Sequence, residues 1–493
     1  MAPEERIAEL EAETARLRAE TARLRADNAA LRAQIEELAA QLEAVQARLA
    51  KDSHNSSKPP SSDPLGRKRL RSQRQRSGKK PGGQLGHHGE TLPLVAVADE
   101  VVEHRPAECV ECQTPLDETA SVVLYERRQV RELPAVRLLV REHRALHVRC
   151  PRCEQVSVGL FPPETSSRAQ YGPRLRALAV YLREQQLVPY ARVRERFAEL
   201  LGAPVSLGTL ARWVRQGSQT LRPVEDAIKV ALVRAPVLQP VLQPVLHSDE
   251  TGVRRAGKLA WAQVASTSRL THYAIHAKRG SEATDAIGIL PGYRGVSVHD
   301  GWKPYRHSTA CRHALCNIHH LRELTFLEEA YQQSWAKDLK ETLLEMKTAV
   351  EQARLRGADR LGDAERSAFV SRYEALLAAG LAANPPPQRR VGQRGRVKQS
   401  PALNLLERLC FGQREVLAFL DDFTIPFDNN QAEQDLRMLK VQQKIAGSFR
   451  ADHGSEAFAR IRGYLSSMRK QGVALLAALQ TVFTGQPLYP ALD

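Results

Sequence analysis

The chain has 493 residues, with 72 Lys and Arg against 56 Asp and Glu, and a formal net charge of +16. That length allows several domains and at least one sizeable core, and the positive excess points to a polyanion, with nucleic acid first. No apolar run reaches the length of a membrane-spanning helix and no apolar segment follows the charged N-terminus, so a membrane partner and a secretory signal are not expected. Seven cysteines, four of them in two close pairs, fit a reducing cytoplasm and metal binding better than a disulfide framework.

Residues 5–50 carry a heptad seam. Ile7, Thr14, Thr21, Asn28, Ile35, Leu42 and Leu49 fall at a, with Leu10, Leu17, Leu24, Leu31, Leu38 and Val45 at d. The segment reads as one long helix that buries its stripe only against a partner. Leu at nearly every d, with polar Asn28 at one a, favours a parallel homodimer through a leucine-zipper coiled coil. Residues 51–92 read as a basic flexible linker. Its Ser-, Asn- and Pro-rich start, His54 to Asp63, leads into Arg67, Lys68, Arg69, Arg71 and Arg74, with no acid between Asp63 and Glu90. Such a run suits salt-sensitive phosphate contacts that carry no sequence information.

Residues 93–165 hold Cys109-x2-Cys112 and Cys150-x2-Cys153. Each pair places two thiolates on one tight turn, and four thiolates complete a tetrahedral structural Zn2+ site with no open position for chemistry. Between the pairs, Val122 to Leu124 and Leu138 to Val140 read as strands of a zinc ribbon. Residues 166–235 read as a helix-turn-helix. Ser206 is the expected N-cap of its last helix, which carries Arg212 and Arg215 for bases or phosphates.

Residues 236–450 change to an α/β pattern. Val245 to Thr251 reads as a strand ending in acid at Asp249. Leu259 to Ala265 and Leu270 to Ala277 form two more strands, Ser281 to Leu290 a helix, and Gly295 to Trp302 another strand ending at Asp300. This is how a ribonuclease H-like sheet presents metal ligands, since two neighbouring acids repel unless a cation lies between them. A helix from Phe427 to about Ile445 offers Glu433, followed on the same face by Arg437, Lys440 and Lys444 as phosphate contacts. Glu433 three residues after Asn430 also fits a capping box, and an ion pair along that face is a further ordinary explanation. Cys311, His313, Cys316 and His319 offer metal donors in no standard finger spacing. His247, His299 and His319 stand near the strand tips, where core roles compete with orienting water or phosphate.

Taken in order, these motifs resemble the transposases of the insertion sequence 66 family across nearly the whole chain. The resemblance rests on the zipper, Asn55 to Asp63, the two cysteine pairs, His247-Ser-Asp-Glu-Thr251, Asp300-Gly-Trp, Cys316-Asn-Ile-His319, Asn429-Asn-Gln-Ala-Glu433 with Arg437, Gly447-Ser-Phe449 and the closing helices. It implies a DDE transposase with Asp249, Asp300 and Glu433 as the catalytic triad, two Mg2+ (or Mn2+) ions, and a CxxH element at Cys316 and His319. It also implies a helical insertion at about 330–400, where residues 335–356 and 363–383 themselves read as two helices, and accessory proteins from the same element. The expected architecture is therefore multidomain: coiled coil, zinc ribbon, helix-turn-helix, α/β ribonuclease H-like catalytic domain with a helical insertion, and C-terminal helices over 451–493. The expected activity is cleavage and strand transfer at the DNA ends of a mobile element, inserted into target DNA, in the cytoplasm at the nucleoid. An inactive transposase-derived DNA-binding regulator and a nuclease that cuts without joining are the alternatives.

Overall fold

The computed structural model describes residues 3–56, 63, 86, 92–134, 136–238, 244–387 and 397–492. The expected phosphate contacts Arg67, Lys68, Arg69, Arg71 and Arg74 lie outside the described residues. Two compact units are present, one of Met1–Lys68, His143–Glu195 and Val205–Asp493, the other of Arg69–Glu142 and Arg196–Pro204.

In the larger unit, α1 (Pro3–Ala50) is one uninterrupted helix. Its stripe is uncovered, with Leu10, Leu17, Leu24, Leu31 and Leu38 all exposed. Beyond it, the described residues of the expected linker fold into a turn. The Asp52 carboxylate accepts the N–H groups of His54 and Asn55, and the Asn55 side chain accepts from Asp52 N–H and donates to the Ala50 carbonyl. Asp63 accepts from the Ser53 N–H and hydroxyl. Asp52 and Asn55 are buried as a result. Ser, Asn and Asp favour open linkers and side-chain-to-backbone turns alike, so composition does not separate the two.

β1 (His147–Arg149) and β2 (Val156–Val158) make an antiparallel pair flanking the second cysteine turn. The strands expected at Val122 to Leu124 and Leu138 to Val140 do not form. These side chains are exposed and their backbone has no ladder among the described residues. Apolar, branched sequence becomes strand only where a neighbour takes its N–H and C=O groups and one face is covered.

The next helices are α2 (Pro173–Val180), continued as a π turn over Tyr181–Gln185, α3 (Tyr190–Leu201), α4 (Leu207–Thr220) and α5 (Arg222–Leu238). The Ser206 hydroxyl accepts from Thr209 N–H at 3.1 Å, the expected cap of α4, a contact typically contributing about 1 kcal/mol. Leu210, Trp213 and Val214 are buried, while Arg212 and Arg215 stay exposed.

A five-stranded sheet follows, of β3 (Leu246–Arg255), β4 (Lys258–Ser266), β5 (Thr271–His276), β6 (Val296–His299) and β7 (Arg312–Leu315), in the order β5-β4-β3-β6-β7. β3, β4 and β5 run antiparallel, whereas β6 and β7 run parallel to β3. α6 (Ser281–Ile287) makes the crossover between β5 and β6. β3 does not end at Asp249 but runs on to Arg255. It turns on Ala256 and Gly257, whose φ angles of 49° and 77° give the hairpin twist that paired strands require.

After β7 come α7 (Asn317–Tyr331), α8 (Ser334–Leu355), α9 (Asp363–Ala383), α10 (Pro401–Phe411) and two single turns, α11 (Gln413–Val416) and α12 (Ala418–Asp421). The helices expected over 335–356 and 363–383 are thus α8 and α9. α13 (Asn430–Ala446), α14 (Asp452–Lys470) and α15 (Leu475–Phe483) complete the chain. α14 lies along β5, α4 and α5, and Arg460 binds Glu225 at 2.6 Å and the Ser218 hydroxyl at 2.8 Å.

Two cores hold the sheet. Val296, Val298 and Ala314 pack with Leu321 and Leu324 of α7 and Leu339 and Leu343 of α8. Val253, Ala260, Ala262 and Val264 pack with Ala432, Leu436 and Leu439 of α13 and Phe458 of α14. Each large aliphatic side chain so buried contributes about 2 kcal/mol, and together they fix α13 against the face of β3 that also carries Asp249. Among the described residues no helix is long and apolar enough to cross a membrane.

Candidate active site

Strand register brings the first two acids together. β3 pairs in parallel with β6 through Leu246–Ser297 and His247–Val298, and β6 pairs with β7 through His299–Leu315. Continued past the ladder, this register sets Asp249 level with Asp300 and Asp300 level with Cys316. Residues in register across parallel strands project to the same side. Alternation also selects between the adjacent acids Asp249 and Glu250. Asp249 shares its face with Val253, which packs under α13, whereas Glu250 faces away and pairs with Arg279.

α13 supplies the third acid. Glu433 lies one turn into the helix, beside Ala432 of the buried stripe. The capping box does not form: Asn429, not Asn430, is the N-cap, and no side chain caps the helix. Nor does Glu433 pair with Arg437. Its Oε1 is buried without a hydrogen-bond partner, 3.9 Å from His319 Nε2, and His319 Nδ1 is buried and unpartnered too. Donor atoms of Cys316, His319 and Glu433 lie within 4.8 Å of one another.

The crowding shows in protonation. Burial first, then the charges of Asp300 and Glu433, push the Asp249 carboxyl up to about 7, against one lowering contact from Glu250 N–H. Burial also pushes the Cys316 thiol up to about 12, so it is neutral here.

Asn429, which no spacing argument singled out as functional, ties the pieces together. Its amide donates to the Ser248 carbonyl at 2.9 Å, its side-chain oxygen meets His247 Nδ1 at 2.9 Å, and its backbone N–H reaches Cys316 Sγ at 3.2 Å. One buried residue therefore links the start of α13 to β3 through its side chain and to the end of β7 through its backbone N–H. Asn429→Ala is expected to destabilise the fold by about 1–3 kcal/mol, because it strands two buried polar partners. An unchanged urea midpoint would show that the clamp carries no weight.

The turn after β6 has its own support. Gly301 N–H donates to His299 Nδ1 at 3.0 Å, so His299 Nε2–H donates to His313 Nδ1 at 3.0 Å, and His313 Nε2–H to the Ser308 carbonyl at 3.1 Å. Burial pushes His299 down to about 3 and lowers His313, so both rings are neutral links. His313 thereby has both nitrogens committed and does not join Cys311, Cys316 and His319 as a metal ligand. The Trp302 N–H donates to Asp300 Oδ1 at 2.9 Å, and Gly301 takes φ 85°, a turn that a Cβ would strain. On the far side, the Arg279 guanidinium lies between the Trp261 and Trp302 rings, 4.5 and 3.8 Å from their centroids. Trp261 and Arg279 are distant in sequence from either acid motif, which is why pattern alone missed them.

The basic candidates divide. Arg437 and Lys444 are exposed, whereas Lys440 donates to the Gly252 carbonyl at 2.7 Å and so joins α13 to β3.

Each cysteine pair occupies its own turn, and the two turns share one backbone pattern. Cys109 N–H donates to the Thr114 carbonyl and Gln113 N–H to that of Cys109; Cys150 and Glu154 repeat this with Gln155 and Cys150. Gln113 and Glu154 both take the left-handed conformation, with φ of 57° and 58°, which residues with a Cβ adopt reluctantly. Hydrogen bonding with the Thr114 side chain and backbone holds the Cys112 thiol down at about 7, and backbone bonding at Cys153 lowers Cys150. Both turns thus favour thiolate, the metal-binding form.

A mixed sheet with acids gathered just past its parallel ladder defines an α/β protein with a candidate carboxylate site. The family model for the transposases of the IS66 family matches residues 168–457, more than half of the chain, and the chain belongs to that family. A second model, of a family of unknown function (DUF6444), matches residues 2–93. No curated protein matches the chain. Family membership implies DNA as substrate, nucleotidyl transfer or hydrolysis as reaction class, and a divalent metal as cofactor.

Proposed function

We propose that the protein is a DDE transposase that binds the ends of its element, cuts them and joins them to target DNA. The observation that carries this reading is the in-register pair Asp249 and Asp300, closed by a Glu433 whose buried oxygen has no partner. The strand order β5-β4-β3-β6-β7 supports a ribonuclease H-like catalytic domain.

The donor set suits a hard divalent cation: three carboxylates crowd together, and one holds its proton to about pH 7 without a compensating charge. Bound there, Mg2+ or Mn2+, as two ions, would supply activation of the attacking oxygen and neutralisation of the departing one. Asp249 would hold the ions from within β3, Asp300 from just past the end of β6, and Glu433 from the first turn of α13. Asp249 must lose its proton to do so. Asn429 and the His299–His313 link keep the strands and helix in register. Exposed Arg437, Lys444, Arg212 and Arg215 would meet DNA phosphates, with the arginines of α4 also positioned to meet base edges.

The reaction then has two steps without a covalent protein–DNA intermediate. Water cuts the strand at the element end and releases a 3′-hydroxyl, which attacks a phosphodiester of the target and joins to its phosphorus as the target strand's own 3′-oxygen leaves. End-containing DNA incubated with the protein and Mg2+ should yield nicked ends and joined product. Nicks without joining would favour the nuclease reading, and binding without nicks the regulator.

The exposed stripe of α1 supports a parallel homodimer, since heptad leucines uncovered in one chain are covered by a second copy. Accessory proteins of the same element, and action in the cytoplasm at the nucleoid, complete the proposal. The two cysteine turns support structural zinc. One zinc per chain is expected, lost in both Cys112→Ser and Cys153→Ser as measured by elemental analysis. Retention in either variant would break the four-thiolate assignment.

A further inference from the structure

The turn that ends the zipper helix forms one wall of a cavity that reaches the second candidate acid. This cavity, of about 430 Å3, is lined by Lys51, Asn55, Asp300, Trp302, Lys303 and Arg322, among others. The turn is held there by α7. The Asn55 amide donates to Glu329 at 3.3 Å, His54 Nε2 stands 3.5 Å from the same carboxylate, and the Lys51 ammonium sits 4.7 Å from the Phe326 ring centroid.

The charges are unbalanced. Among the described residues, Lys303 and Arg322 have neither a hydrogen-bond nor an ion-pair partner, and Arg322 is partly buried. A guanidinium withdrawn from water without a partner is unfavourable, so the cavity favours an anion. Trp302 adds an aromatic wall suited to a base, and the size admits a single nucleotide unit but not a duplex.

We propose that this cavity seats the phosphodiester adjoining the one that is cut, on an unpaired DNA strand, with Arg322 and Lys303 as its contacts. The turn at Lys51–Ser56 is then part of the active site, and the dimerising helix and the catalytic centre are joined through it. The proposal rests on the reading of Asp249, Asp300 and Glu433 as the DNA-cutting triad.

The test uses the full chain and a short fluorescein-labelled single-stranded oligonucleotide of mixed sequence. Anisotropy is measured without added divalent ions over a range of KCl concentrations. Arg322→Ala is expected to bind about tenfold more weakly, as for loss of a charge-assisted contact. Its plot of log affinity against log salt should be shallower by about 0.7, the loss of one phosphate contact on a single strand. Arg322→Lys should restore the slope. Asn55→Ala, which releases the turn from Glu329, should weaken binding severalfold. Lys303→Ala, at an exposed position, should reproduce the slope change and stands in if Arg322→Ala fails to fold. Wild-type affinity and slope in the variants of both cations would overturn the seat, whatever the cleavage assay shows. The expected slope changes in a protein that cuts no DNA would overturn the triad reading and leave the seat standing.

Discussion

Glu433→Gln is expected to lower strand cleavage by more than about a thousandfold while the protein stays folded and bound to DNA. Loss of a metal-holding carboxylate removes several kcal/mol of transition-state stabilisation, and each 1.36 kcal/mol is a factor of ten. The substitution keeps the side-chain shape, and Glu433 Oε1 has no hydrogen-bond partner to lose. A glutamate that serves only its helix tolerates glutamine, whereas a metal-holding glutamate does not. Retained cleavage in Glu433→Gln, with an unchanged melting temperature, would remove Glu433 from the site.

Asp249→Asn is expected to abolish cleavage and, in the metal-free protein, to raise stability above neutral pH. The carboxyl titrates at about 7 in the fold because burial and the charges of Asp300 and Glu433 disfavour its anion. In the unfolded chain it titrates near 4. Below pH 4 both states hold the proton and there is no penalty. Between pH 4 and 7 the unfolded chain loses its proton first, so stability falls as pH rises, and above 7 the loss is complete. A shift of this size corresponds to roughly 2–4 kcal/mol, which the neutral amide avoids. Urea unfolding in chelator at pH 5 and pH 8 measures it. The difference between variant and wild type at pH 5 should be roughly a third of that at pH 8. Equal stability at pH 8 would show that Asp249 carries no such penalty. The same titration implies that divalent-ion affinity rises as pH approaches 7 and levels off above it.

Much of this layout was legible in the sequence because local chemistry and tertiary structure agree. Ser206 caps α4 because a hydroxyl before an apolar-periodic run has one favourable use. The hairpin of β4 and β5 and the parallel return of β6 follow from alternation and short turns. Asp300 was legible as an acid just beyond an apolar strand. Three features were not. β3 continues past Asp249 because Val253 is buried under α13, a contact no window of sequence contains. Val122 to Leu124 and Leu138 to Val140 have strand composition but, among the described residues, no neighbour to complete a ladder. Asn429 stands at the N-cap position of α13, but its side chain binds β3 and its backbone N–H binds Cys316, partners more than a hundred residues away.

Anomalous X-ray scattering from crystals soaked in Mn2+ decides whether Asp249, Asp300 and Glu433 hold the divalent ions on which strand chemistry depends. Manganese is expected between the carboxylates of Asp249 and Asp300, with Glu433 within ligand distance. Manganese absent from that pair, or bound only by Cys316, His319 and Glu433, would contradict it.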